Sequence, residues 1–209
     1  MNRYDRISAF ILCGGASTRM GKQKALLDFG GEPLICRTVR LLEPLVPAIT
    51  IVGSPDPYRA LGFRVIADGD FGTHSGKERA LGPLVGIASA LTATDTTWNL
   101  ILACDLPYLT TNWLDWLLAR AMVSGQQIIM PRTSRGLEPL AAVYRRECVL
   151  PIVASLSRGV RKVTDAIEEF RVEFVSEQEW RSLDPDSNTL RNMNTPADYQ
   201  EARRWMENK

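Results

Sequence analysis

Short apolar runs alternate along the chain with longer stretches in which apolar residues recur every three or four positions, and that alternation marks an α/β protein. The runs ISAFIL (7–12), AITIVG (48–53), FRVIA (63–67), NLILA (99–103) and QQIIMP (126–131) predict strands. Several are apolar almost throughout, as expected where helices cover both faces, so the sheet is expected to be mostly parallel. Leu34, Thr38, Leu41 and Leu42 form one helical stripe. Leu84, Ile87, Ala88 and Leu91 form a second behind Gly82-Pro83, where proline suits a first helical turn. A third stripe, Leu114, Leu117, Leu118, Ala121 and Met122, is preceded by Thr110, Thr111 and Asn112 as candidate caps. Beyond residue 135 the pattern loosens. LEPLAAVY (137–144) predicts a strand, followed by helical stretches near 146–156 and 160–169, a strand near 170–175 and a last amphipathic helix from Pro196. No repeat, low-complexity stretch or linker divides the chain, so one domain over 1–209 is expected, with 136–209 completing the sheet and one side of a cleft.

In open α/β sheets ligands sit beyond the carboxyl ends of the strands, which draws attention to the loops after residues 12, 53, 67 and 104. The first reads LCGGASTRMGKQK (12–24) and joins three glycines and two hydroxyls to the cations Arg19, Lys22 and Lys24. Glycines let main-chain N–H groups approach an anion without Cβ obstruction, and the cations neutralise charge on a phosphoryl group, so the loop is suited to phosphate. Five residues separate Gly15 from Gly21 and Gln23 follows Lys22, so this is not a Walker A loop. GxGxxG is absent as well, which argues against a dinucleotide-dependent oxidoreductase. Asp105 follows NLILAC and precedes Leu106-Pro107, where a carboxylate would emerge at the sheet edge as a metal ligand or as a plain turn residue.

Charge changes the picture only by exclusion. Lys plus Arg number 25 against 24 Asp plus Glu, so no global field recruits nucleic acid or an acidic membrane, and anions must be bound locally. The first apolar run is too short to span a bilayer and lacks the flanks of a secretory signal, so a cytoplasmic protein is expected. Cys13, Cys36, Cys104 and Cys148 form no CxxC and read as small buried residues, and the five tryptophans read as packing.

LxGGxxxRMGxxK (12–24), the Asp ending VIAD (65–68), GPLVG (82–86), CDLP (104–107) and NMNTP (192–196) together resemble the molybdenum cofactor guanylyltransferase family, over nearly the whole chain. The resemblance implies a three-layer Rossmann-like nucleotidyltransferase fold. Residues 1–135 would form the nucleotide-binding part and 136–209 the acceptor side. It implies that Leu12, Cys13 and Gly14 bind the nucleotide through main-chain groups, with Gly15 shaping the loop. Arg19 and Lys24 would hold the triphosphate, Asp68 would lie in the GTP site, Gly82, Leu84 and Gly86 would border the nucleoside, and Asp105 would ligate Mg²⁺. Asn192 and Asn194, with Arg161 and Lys162, would face the acceptor; capping of the helix at Pro196 and an exposed basic helix start are the plain alternatives.

The implied reaction transfers GMP from GTP to the terminal phosphate of molybdopterin, releasing pyrophosphate. The resemblance leaves room for transient contact with a cofactor-delivery protein or a molybdoenzyme. Three features differ from the family pattern: Gln23 stands where an acidic residue commonly precedes the lysine, Gly53 stands where an asparagine is often found, and the stretch between Asp68 and Gly82, with His74, is long. That stretch reads as a solvated loop or a flap. A CTP-dependent molybdopterin enzyme, a sugar-phosphate nucleotidylyltransferase and a non-catalytic nucleotide-binding module stand as alternatives at this point.

Overall fold

The computed structural model describes residues 2–14, 23–56, 58–71 and 82–207. β1 (Ile7–Leu12) is buried at every position. It lies inside the main sheet, parallel to β4 (Ala48–Val52) on one side and β6 (Trp98–Ala103) on the other, and helices cover both its faces, so it has no solvated side and no alternation. β5 (Val65–Ile66) extends this parallel half beyond β4. On the other side, β9 (Ala141–Arg145) runs antiparallel to both β6 and β7 (Ile128–Thr133), and β10 (Val172–Ser176) lies parallel to β7 at the edge. The order is β10-β7-β9-β6-β1-β4-β5, with β8 (Gly136–Leu137) pairing antiparallel to β7. The sheet is mostly parallel, as its apolar runs predict, and β9 with the short β8 makes it mixed.

α1 (Leu34–Leu42) and α3 (Thr111–Val123) cover one face, where Ile35, Val39 and Leu42 meet Leu114, Leu117 and Ala121 over Ile7, Ala9 and Ile11. α2 (Pro83–Thr92) and α4 (Val149–Ser157) cover the other, over Phe10 and Leu12. α2 is buried at every position from Leu84 to Leu91, because it lies against the sheet on one side and α4 on the other. Among the described residues no helix is long and apolar enough to cross a membrane.

Several elements depart from the periodicity. LEPLAAVY is two strands and a turn: Glu138 N–H bonds to the Pro131 carbonyl, Ala141 N–H bonds to the Glu138 carbonyl, and Pro139 has no N–H to give a ladder. The stretch 160–169 holds only one helical turn, α5 (Val163–Ala166), since Gly159 at φ 88° closes α4. Met122 belongs by spacing to the α3 stripe but is 45% exposed near the end of the helix. β2 (Asp28–Phe29) and β3 (Glu32–Pro33) form a hairpin turned by Gly30 and Gly31, at φ 68° and 91°. The Gly-Gly pair in DFGGEP carries that signal.

The chain between β10 and α6 (Pro196–Glu207) has no regular element, yet it is anchored. Trp180 is buried edge-on against Trp113 and Trp116, at 5.9 and 5.5 Å between ring centres. Asp184 accepts main-chain N–H bonds from Asn188 (3.0 Å) and Thr189 (2.9 Å). Replacing it leaves both donors without a partner in a buried turn. Asp184→Ala is therefore expected to cost about 2 kcal/mol of stability, checked by thermal unfolding; an unchanged melting temperature would show that the tryptophan contacts alone fix the segment.

Candidate functional site

The parallel register brings three chain exits to one rim. Cys13 N–H continues the ladder to the Val52 carbonyl (2.8 Å), and Cys104 N–H bonds to the Leu12 carbonyl (3.2 Å), so the segment leaving β1 runs between the ends of β4 and β6. Gly53 makes that passage possible. It sits at φ 147°, and a Cβ on it would lie 3.1 Å from both the carbonyl carbon and oxygen of Cys13. A side chain here would meet the Cys13 peptide too closely by a few tenths of an ångström and would have to adopt a φ that L residues rarely take.

Asp68 follows β5 and faces the same exit. A Cβ added to Gly14 would lie 3.4 Å from Asp68 Oδ2, and one added to Gly86 would lie 3.7 Å from Oδ1 and 2.0 Å from Leu12 Cδ2. Leu12, Gly14, Asp68 and Gly86 therefore border one small space. The turn after Asp68 is fastened to α2: Gly69 N–H bonds to Ser89 Oγ at 2.8 Å, and that hydroxyl donates to the Val85 carbonyl at 2.8 Å. Leu84 is fully buried in the core, so its side chain turns away from this space. Gly82 precedes α2, close to the carbonyl of Arg161.

Across the rim stands a polar cluster. Lys24 Nζ lies 3.1 Å from Asp105 Oδ2 and donates at 2.7 Å to Asn194 Oδ1. The side chains of Lys24 and Asp105 are only 15% and 17% exposed. The Asp105 carbonyl accepts from Met193 N–H at 2.9 Å, which ties the 192–194 segment to the end of β6. Capping of α6 falls to other residues: Asp198 Oδ2 accepts from the N–H groups of Asn194 and Thr195, and Thr195 Oγ1 accepts from Asp198 N–H. Asn192 is exposed. The Arg161 main chain lies beside Gly82, and the side chains of Arg161 and Lys162 are engaged with other partners. Arg161 Nη1 donates to the carbonyls of Leu156 and Val160, each at 3.1 Å, and Lys162 pairs in solvent with Asp165 at 3.7 Å. Gly15, Arg19, Lys22 and His74 lie outside the described residues.

Residues 9–180 match the family described as the MobA-like NTP transferase domain. The chain belongs to that family. It is 35% identical to a probable molybdenum cofactor guanylyltransferase of Pelotomaculum thermopropionicum, over 95% of this chain and 92% of the relative. Its fold is similar to the crystal structure of molybdopterin-guanine dinucleotide biosynthesis protein A from Archaeoglobus fulgidus, with a TM-score of 0.80, 21% identity and coverage of 97% and 100% of the two chains. It is also similar in fold to Rv0371C of Mycobacterium tuberculosis H37Rv, solved in complex with manganese, with a TM-score of 0.62, 16% identity and coverage of 95% and 98%.

In this MobA-like chain, burial raises Asp68 above the usual carboxylate range. The Cys104 thiol is held well above its ordinary value, first by its hydrogen bond to Cys13 and then by burial. Among the described residues no three His, Cys, Asp or Glu side chains gather as a metal cluster. Asp105 thus offers a single hard oxygen ligand, which suits Mg²⁺ whose other ligands are substrate phosphates and water. Glu138 is a polar group that the strand reading of LEPLAAVY hides: it accepts from Thr133 Oγ1 at 2.9 Å, burial raises its carboxyl, and the bond from Ala103 N–H to the Leu140 carbonyl sets its turn beside the end of β6.

Asp68 has a consequence for stability. Its folded-state value lies above the unfolded value of about 4, so the charged form costs stability once the pH exceeds the folded value, and the cost vanishes as pH falls through the unfolded value. Asp68→Asn should therefore melt higher than the wild type at pH 7 without ligand, with the advantage shrinking towards pH 4. Equal melting curves at pH 7 would remove the desolvation argument.

Proposed function

We propose that this chain transfers GMP from GTP to the terminal phosphate of the molybdenum cofactor, forming the guanine dinucleotide cofactor and pyrophosphate. The observation that carries the reading is the close approach of the Asp68 carboxylate to Gly14 and Gly86, at the rim that also holds the Lys24–Asp105 pair. Guanine presents an N–H and an amino group side by side, and an ionised carboxylate, which only accepts, matches both at once. Cytosine offers one amino donor beside an acceptor nitrogen that a carboxylate repels. A site whose polar groups are left unpaired by the wrong base discriminates strongly, so Asp68 favours GTP over CTP. The name of the Pelotomaculum relative supports the same acceptor and donor.

Residues 1–135 carry the nucleotide half and 136–209 the acceptor half. Lys24, with Arg19, holds the triphosphate, Cys13 and Gly15 belong to the loop around it, and Gly82 and Leu84 border the nucleoside by their main chain. Asn192 and Asn194 face the acceptor. Arg161 and Lys162 take part only if Arg161 gives up the Leu156 and Val160 carbonyls and Lys162 leaves Asp165.

The chemistry needs no proton acceptor. A phosphate monoester has its second pKa at about 6, so the attacking phosphate is largely dianionic at neutral pH, which fits a cluster containing a cation, a carboxylate and an amide. Mg²⁺ held by Asp105 would neutralise phosphate charge and stabilise the departing pyrophosphate. The residues of the chain bring two anions together: Lys24 binds phosphate oxygens, Asp68 fixes the base, and the 192–194 segment, tied to Asp105, presents the second substrate for in-line attack on the α-phosphorus. The enzyme works in the cytosol on small molecules, without nucleic acid or membrane, and hands its product on through transient contact with a delivery protein or a molybdoenzyme.

The test is Mg²⁺-dependent pyrophosphate release with purified molybdopterin and each of the four NTPs. Turnover is expected with GTP alone. Asp105→Asn should fold normally, keep the Met193 main-chain bond and lose roughly 100-fold or more in kcat, the order found when one charge-stabilising group is removed. Preference for CTP would reassign the base pocket, and wild-type rates in Asp105→Asn at subsaturating Mg²⁺ would remove Asp105 from the reaction.

A further inference from the structure

We propose that Asn194 is a positioning residue for the nucleotide half of the site, acting on GTP binding through Lys24. The proposal rests on the transfer reading above and assigns to Asn194 work on the substrate it does not itself touch.

An ammonium has three N–H donors on a flexible four-carbon stem, so its direction is set by whatever it is bonded to. Two of the three are committed here, one to Asp105 Oδ2 at 3.1 Å and one to Asn194 Oδ1 at 2.7 Å. The third therefore has one direction left. The two partners are not equivalent. Asp105 cancels the charge of Lys24, whereas the amide oxygen of Asn194 fixes its position and leaves its charge available to a phosphate. With Asp105 as its sole partner, the ammonium would be free to pivot about one bond.

Asn194 is itself held by main-chain contacts that do not involve its side chain. Its N–H donates to Asp198 Oδ2 at 2.9 Å. The preceding Met193 donates to the Asp105 carbonyl at 2.9 Å and is fully buried in a cluster with Phe29, Leu34, Tyr108 and Ala202. The orientation of the amide follows from chemistry, because an ammonium cannot accept a hydrogen bond: the oxygen must face Lys24 and the NH₂ must face away. One side chain thus places the phosphate-binding cation with its oxygen and has two donors left for a second anion.

A double-mutant cycle on GTP binding, read by calorimetry with Mg²⁺ and no acceptor, tests this. Asn194→Ala keeps every main-chain bond of the segment and should retain the wild-type melting temperature. It is expected to weaken GTP roughly fivefold in the wild-type background, a part of what a charged hydrogen bond is worth, and not at all in Lys24→Ala. Asn194→Asp restores an oxygen for Lys24 but cancels its charge, so it should bind GTP no better than Asn194→Ala. An equal loss in both backgrounds, or no loss of GTP affinity with only the acceptor KM raised, overturns the proposal while leaving the transfer reading intact. Wild-type protein that binds CTP but not GTP overturns the donor reading and the proposal with it.

Discussion

The parallel pairing of β1 with both β4 and β6 is the constraint from which the site follows. Because Leu12, Val52 and Ala103 sit opposite one another in register, the three strands end together and their exits share one rim. The chain leaving β1 must then squeeze between its neighbours, and small residues appear where it does so: Gly53 against the Cys13 carbonyl and Gly86 against the side chain of Leu12. Such glycines weaken a helix or a strand end, yet a side chain at Gly53 would be strained at its φ and would require the Cys13 peptide to give by a few tenths of an ångström. The path of Leu12, Cys13 and Gly14 is therefore hemmed in by a strand end and a helix that are distant from them in sequence.

Electrostatics set the second constraint. The chain as a whole is nearly neutral, so it cannot attract two anionic substrates by its net field and must concentrate charge locally. It does so with few groups. Lys24 is paired with Asp105, which keeps a mostly buried cation from standing uncompensated. The two charges are thereby balanced against each other at the rim.

Much of this was legible in the sequence, and the illegible part has a common cause. β1, β6 and α2 declared themselves because burial on all sides leaves uninterrupted apolar residues, and the motif at 12–24, Asp68 and Asp105 lay at strand ends where the fold class puts ligands. The turn inside LEPLAAVY did not declare itself, since Leu and Ala on both sides of Pro139 hide the break and with it the burial of Glu138. Met122 keeps the helical spacing but falls where α3 runs past its covering neighbours. For Arg161 the sequence leaves an acceptor contact and an exposed basic helix start open, and nothing local reveals that its guanidinium bonds to the Leu156 and Val160 carbonyls. The contact of Lys24 with Asn194 spans 170 residues, so no window along the chain could show it.

That long-range contact also bears on how the two halves of the chain cooperate. Asn194 reaches Lys24 only because Met193 is bonded to the Asp105 carbonyl and buried below it, and because Thr195 and Asp198 set the start of α6. Asp105, just after β6, therefore offers its side chain to Lys24 and its main chain to Met193. A displacement of the 192–194 segment would move Asp105 and Lys24 together, and a displacement of Lys24 by phosphate would be felt at Asn194. Coupling between two segments needs contacts shared by both, and the contacts that join these are three hydrogen bonds: Lys24 to the Asp105 carboxylate, Lys24 to the Asn194 amide oxygen and Met193 N–H to the Asp105 carbonyl.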